Sequence, residues 1–176
     1  RYSQAQQALY DLVHKANRGA IAACRPGVAF NQPHDVATQI LVGRLIAPGL
    51  LRGAAHALIA SCAHEKFCLH KTSHWLGLDV RDVGDYRLGE QWRDLMPGMV
   101  LTVEPGIYIS CDSTAADIPE AFRGIGIRVE DSLLITPQGC QVLTEDLLKD
   151  PDEIERWMAT KGSVGQSAQG LKEVVA

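Results

Sequence analysis

Met99-Val100-Leu101-Thr102-Val103-Glu104 is a β-rich run that stops at Pro105-Gly106, and Ile107-Tyr108-Ile109 follows at once. β-Branched and apolar residues bounded by Pro and Gly read as short strands. Ile125-Gly126-Ile127-Arg128-Val129-Glu130 alternates small or polar with apolar residues, which puts Arg128 and Glu130 on one side of a strand. Ser132 to Thr136 continues this strand, and Pro137-Gln138-Gly139 is a turn into Gln141-Val142-Leu143. Glu104 and Glu130 both sit on apolar strands. A carboxylate in such a place is costly unless it is paired or holds a metal. For Glu130 the pairing alternative is an ion pair with Arg128.

Upstream the periodicity changes. Ala8, Leu9, Leu12, Val13 and Ala16 recur at spacings of three and four, which predicts a helix from Ser3, as cap, to about Ala23. Arg25-Pro26-Gly27 breaks it. A second helix is expected from about Pro33 to Ala47, with Val36, Ile40, Leu41 and Leu45 on one face and Pro48-Gly49 as its end. From about Cys68 short strands and turns take over. Asp150-Pro151-Asp152-Glu153 is a helix start, with Ile154, Trp157 and Met158 as the apolar face. The Gly/Ser/Gln-rich residues 161–176 read as a flexible tail. Two helices, a run of mainly antiparallel strands and a closing helix make an α+β pattern over residues 1–160.

The chain has 176 residues, 46% of them hydrophobic and 22% charged, which suits one soluble globular domain with a sizeable core. A net charge of -4 provides no electrostatic footprint for nucleic acid or an anionic membrane. No segment approaches a membrane span, and none reads as a signal peptide. The five cysteines, Cys24, Cys62, Cys68, Cys111 and Cys140, are odd in number and unpatterned, as expected of free thiols in a reducing cytoplasm. The chain opens in mid-pattern at Arg1-Tyr2-Ser3, which reads as a cut piece of something longer.

One further stretch carries chemistry, His70-Lys71-Thr72-Ser73-His74-Trp75-Leu76-Gly77. Residues four apart share a face in a helix or a strand, so His70 and His74 can converge on one ligand. The alternative is a pair of packed histidines bonded to backbone. His14, His34, His56 and His64 lie on helices or connections and are read as structural.

Taken together, the His70–His74-Trp-Leu-Gly-Leu-Asp-Val run, Leu95 to Ile109 around Thr-Val-Glu-Pro-Gly, and Arg123-Gly-Ile-Gly-Ile-Arg-Val-Glu-Asp resemble the pita-bread metallopeptidases. Among these the resemblance is strongest to the aminopeptidase P (Xaa-Pro aminopeptidase) group, with prolidase next. It covers nearly the whole chain and implies the C-terminal portion of a pita-bread catalytic domain, with a mainly antiparallel curved sheet. It implies a two-metal site, most often manganese, bridged by a hydroxide that attacks the bond before proline. His74 and Glu104 match metal ligands, and Glu130 matches the ligand that bridges the metals. Glu104 also lies near the attacking water. His70 matches a substrate-side histidine, Arg128 an arginine that orders the site, and Tyr108 the tyrosine after the Glu-Pro-Gly turn. Peptides with proline second are the implied substrates.

Two departures qualify that expectation. The family's two Asp ligands precede the Ser3 helix, and here no Asp occurs before Asp11 within it. The expectation is therefore a partial site with the second metal position unformed. The chain alone is then inactive, and it is expected to associate with its missing half or with a second copy. The other departure is Arg81, which stands where the family has a histidine seven residues after the metal-binding one. Arg donates hydrogen bonds but does not shuttle protons near neutral pH. That leaves open a catalytically inactive binding or scaffold module.

Overall fold

Ser3 caps the first helix with a complete capping box. Its hydroxyl accepts from the Gln6 N–H, and the Gln6 side chain accepts from the Ser3 N–H. The computed structural model describes residues 1–112 and 118–161. Helix α1 (Gln4–Ala23) buries Leu9, Leu12, Val13, Ala16, Asn17 and Ala20, a single stripe at helical spacing. Ala8, expected on that face, is exposed. Helix α2 (Gln32–Leu45) packs along α1, where Gly19 lets Ile40 lie against the helix backbone.

The buried side of α2 is Pro33, Ala37, Thr38, Leu41, Val42 and Leu45. Val36 and Ile40, expected on the buried face, are only half-buried. They meet α1 at the edge of the contact, while the small side chains of Ala37 and Thr38 take the interior. A third helix absent from the sequence reading, α3 (Ala55–Ala60), follows, and a 3-10 turn spans Ala63–Lys66. Six residues are too few for a periodic signal to stand out.

The strands are all antiparallel. A small hairpin joins β1 (Arg87–Leu88) to β2 (Gln91–Trp92) through Gly89, whose φ of +64° suits a tight turn. This hairpin too was unforeseen. Strand β3 (Val100–Val103) pairs with β6 (Asp131–Thr136), and β6 pairs with β7 (Gly139–Val142) across a turn at Pro137-Gln138. Strand β4 (Gly106–Tyr108) pairs with β5 (Gly126–Arg128).

These two pairings share one register. Val103 faces Asp131, Gly106 faces Arg128, and two residues on each strand lie between, so Glu104 falls opposite Glu130 and Pro105 opposite Val129. Pro105-Gly106 is thus an interruption inside a continuous pair of strands rather than a reversal of the chain. Met99, Pro105 and Ile109 accept or donate across the pair, so the odd-numbered positions are the hydrogen-bonded ones. At Pro105 one of the two bonds is missing for want of an N–H, and the other, from the Val129 N–H to the Pro105 carbonyl, is stretched to 3.4 Å.

Alternation then sorts the faces. Leu101, Val103, Ile107, Val129, Leu133 and Ile135 are buried against α1 and its neighbours. The even-numbered Thr102, Glu104, Tyr108, Arg128 and Glu130 share the opposite face. Asp131 breaks the pattern as a buried acid, satisfied by Lys149 at 2.9 Å and by the Thr144 hydroxyl at 2.6 Å.

The last helix, α4 (Pro151–Lys161), starts as expected, with the Asp150 carboxylate accepting from the Asp152 and Glu153 N–H groups. Its apolar face is not buried as expected. Ile154 is half-buried, but Trp157 and Met158 are 46% and 61% exposed where α4 lies against α1. Residues 162–176, most of the expected tail, lie outside the described residues.

Leu133 tests where the core sits. It is fully buried between β3 and β7. Leu133→Ala is expected to lower unfolding free energy by about 2–5 kcal/mol, read by chemical denaturation.

Candidate metal centre

The segment Thr72–Leu76 lies beside β3 on the edge away from β6. Glu104, Thr102 and Leu76 N–H groups donate to the Thr72, His74 and Val100 carbonyls at 2.7, 3.0 and 3.1 Å. This ladder carries His74 onto the face that holds Glu104, and the register described above sets Glu130 beside Glu104. Opposed residues at a non-hydrogen-bonded position are the closest pairs in an antiparallel sheet. One ligand atom from each of His74, Glu104 and Glu130 falls within 4.8 Å of the others. Among the described residues no other group of three such side chains converges in this way.

Each member is held from behind. The His74 Nδ1–H donates to the Trp75 carbonyl at 2.8 Å, which fixes the tautomer and leaves Nε2 facing Glu104 Oε1 at 3.2 Å. The His74 N–H donates to the Thr102 hydroxyl, which donates to Glu104 Oε1. Glu104 is 2% exposed, and its other oxygen lies 3.5 Å from an Arg128 guanidinium nitrogen. Glu130 is exposed, so the cluster is open on one side. A buried carboxylate against an unblocked imidazole nitrogen, with a second carboxylate alongside and no thiolate, is a donor set that fits a divalent ion.

Beside the cluster runs a polarised chain of hydrogen bonds. Arg128 Nε donates to the Tyr108 hydroxyl oxygen at 2.7 Å, and that hydroxyl donates to His70 Nε2 at 2.8 Å. His70 Nδ1–H donates in turn to the Lys71 carbonyl. Burial works against the Arg128 charge, but the Tyr108 hydroxyl and the carboxylates of Glu104 and Glu130 outweigh it and raise its pKa above the ordinary value. The Tyr108 ring can lie flat here because its two neighbours on this face are glycines. A Cβ on Gly106 would come within 2.7 Å of the Tyr108 hydroxyl, and one on Gly126 within 3.2 Å of the ring.

Of the residues singled out in the sequence, His70, His74, Glu104, Tyr108, Arg128 and Glu130 come together. Arg81 lies on an exposed turn that Asp82 closes by accepting from the Leu78 and Val83 N–H groups, and its guanidinium has no hydrogen bond or ion pair among the described residues. Thr102 and Asn17 were missed. Thr102 is hidden in an apolar run. Asn17 was detectable as the one polar residue on the buried stripe of α1. The thiols stay apart from the site: burial pushes Cys24 and Cys68 up to about 12, and no cysteine forms a disulfide.

The face-sorted strand pair, the helices behind it and the imidazole–carboxylate cluster define the pita-bread fold. Residues 1–137 match the model of metallopeptidase family M24, and the chain belongs to that family. It is 45% identical over 158 residues to the Xaa-Pro aminopeptidase of Escherichia coli, covering 90% of this chain and 35% of that protein. Xaa-Pro aminopeptidase 1 of Streptomyces coelicolor is 41% identical over 160 residues, with 90% and 32% covered. Pseudomonas aeruginosa aminopeptidase PepP superposes with a TM-score of 0.90 at 45% identity, over 93% of this chain and 36% of that one. The chain therefore spans about a third of the length of these relatives.

Two measurements check this geometry. Gly106→Ala is expected to displace Tyr108 and break its bonds to His70 and Arg128, seen in a crystal structure or as a shifted His70 imidazole resonance. His34 gives the second. Its Nδ1 bonds the Thr72 hydroxyl at 2.9 Å, and burial, with Lys71 and His64 nearby, pushes its pKa down from 6.5 to about 4. The unfolded chain binds that proton first as the pH drops. Stability from His34 is therefore present above about pH 6.5 and is lost as the pH falls toward about 4. Urea unfolding should show that decline in the wild type and a shallower one in His34→Gln.

Proposed function

We propose that this chain is the metal-binding portion of an Xaa-Pro aminopeptidase, a hydrolase that removes an N-terminal residue preceding proline. The convergence of His74, Glu104 and Glu130, with family membership and the relatives' similarity, supports this reading. Those three residues would hold divalent metal, with Mn²⁺ the ion we favour for an oxygen and imidazole donor set. The metal supplies Lewis-acid polarisation of the scissile carbonyl and a nucleophile at neutral pH. The family resemblance assigns two further Asp ligands to sequence outside these 176 residues. On that reading the chain alone carries one partial site and no activity.

The chain's own groups have distinct tasks. The Trp75 carbonyl holds His74 in the tautomer that presents Nε2. Glu104 accepts a proton at a carboxylate oxygen and delivers it to the departing proline nitrogen, which has no hydrogen of its own. Arg128 offsets the charge of the two carboxylates and, through Tyr108, keeps His70 oriented toward the substrate side. His70 then donates or accepts at the peptide, with Tyr108 fixing its ring.

Leu78, Val80 and Val83 are 102%, 76% and 89% exposed on the turn beyond His74. We assign this side to contact with the missing half of the domain or with a second copy. A monodisperse 19.1 kDa monomer in solution would count against that association. The free cysteines support a reducing compartment such as the cytoplasm as part of this reading.

The test is turnover of an Xaa-Pro peptide by the intact protein with Mn²⁺. Glu130→Ala is expected to abolish it, and no loss would remove Glu130 from the centre. Arg81, exposed and standing where the family has a histidine, favours the second reading, a domain without peptidase activity. Arg81→His is expected to raise turnover if that position limits the reaction, and an unchanged rate would clear Arg81.

A further inference from the structure

The strand pair that carries Glu104 and Glu130 has a defect at its centre, and a helix side chain fills it. In the hydrogen-bonded pair formed by positions 105 and 129, the Val129 carbonyl should accept an N–H from position 105. Pro105 has none. Asn17 Nδ2 donates instead to the Val129 carbonyl at 3.4 Å and to the Val103 carbonyl at 3.0 Å. Asn17 is 1% exposed and sits on the buried stripe of α1, between Val13 and Ala20. A buried amide in such a stripe is costly unless it is bonded, and two carbonyl acceptors account for both its hydrogens.

The two acceptors are informative. The Val103 carbonyl belongs to the peptide unit that leads into Glu104, and the Val129 carbonyl to the one that leads into Glu130. Peptide orientation sets where the next Cβ points. One side chain thus bridges both strands at the peptide units that aim the two carboxylates. Without it, the stretched 3.4 Å bond from Val129 to Pro105 is the only cross-strand bond at that step.

We propose that Asn17 is a positioning residue of the metal centre: by standing in for the N–H that Pro105 lacks, it sets the separation and aim of Glu104 and Glu130. The assignment rests on the metal-site reading above. A role behind the ligands predicts an effect on metal affinity of the size seen for partners that orient ligands, about 10–100-fold.

The experiment measures the Mn²⁺ dissociation constant of the intact protein by the EPR signal of free ion, alongside reversible unfolding of the metal-free form. Asn17→Leu has a similar size and no donors, and it is expected to raise Kd about 10–100-fold. Adding Pro105→Ala restores an N–H opposite the Val129 carbonyl and is expected to recover part of that loss. A purely structural residue would shift unfolding and leave the Kd of the folded protein unchanged. That result, or a double variant no better than Asn17→Leu alone, overturns the assignment.

If Asn17→Leu fails to fold, Asn17→Ser, which is too short to bridge both carbonyls, is expected to show the same weakening, and wild-type affinity overturns it. If neither folds, the wild-type Asn17 side-chain amide resonances decide. Slow exchange and a shift on adding Zn²⁺ are expected, and rapid exchange without a shift overturns the idea. Wild-type protein that binds no Mn²⁺ sinks the metal reading and this inference with it. Wild-type binding that is lost in Glu130→Ala but intact in Asn17→Leu sinks the Asn17 role alone.

Discussion

Everything at the candidate centre depends on one constraint: two strands kept in constant register across a gap bridged by a single stretched hydrogen bond. The pairings on either side of Pro105 are in phase, so the residues between them have no freedom to slip. A slip of either strand by one residue would invert that strand's side chains, sending Val103 to the site and Glu104 into the core, or Val129 and Glu130 likewise. Burying an unpaired carboxylate is far more costly than exposing a valine. The same alternation that builds the core against α1 therefore aims the carboxylates away from it. Core and site are two faces of one ladder.

The site itself is built by backbone as much as by side chains. A carbonyl locks the His74 tautomer, an edge segment delivers His74 to β3, and an amide side chain bridges two further carbonyls. Glu104 can be almost fully buried because the Thr102 hydroxyl and the Arg128 guanidinium both face it. Glu130 stays exposed beside it. One carboxylate is thus held in place and the other faces outward, toward the side that ligands from elsewhere would approach.

Much of this was legible in the sequence. Period-two alternation in Ile125–Glu130 and the apolar run before Glu104 named the strands and put Arg128 and Glu130 on one side. The α1 stripe and the Asp150 cap followed from helical spacing and capping chemistry. What stayed hidden was relational. No local pattern says that Glu104 lies opposite Glu130, since register is a property of two segments together. Pro105-Gly106 read as a turn because Pro-Gly usually is one, and only the in-phase ladders show it to be an interruption. Buried faces of α2 and α4 were misjudged because burial depends on what packs there. Small Ala37 and Thr38 fit the crowded side of α2, while Trp157 and Met158 of α4 stay exposed. Arg81 is exposed on a turn that Asp82 closes.

The shared register also says where evolution can edit this protein. Adding or deleting one residue within 99–109 or 125–136 would rotate a whole strand by half its period and destroy core and site together. The connection between those two stretches carries no such phase requirement, since both its ends are pinned by pairs that close independently of its length. Relatives should therefore differ in length there long before they differ within the strands. A loop of changed length is a way to alter what surrounds Glu104 and Glu130 while leaving their mutual geometry untouched.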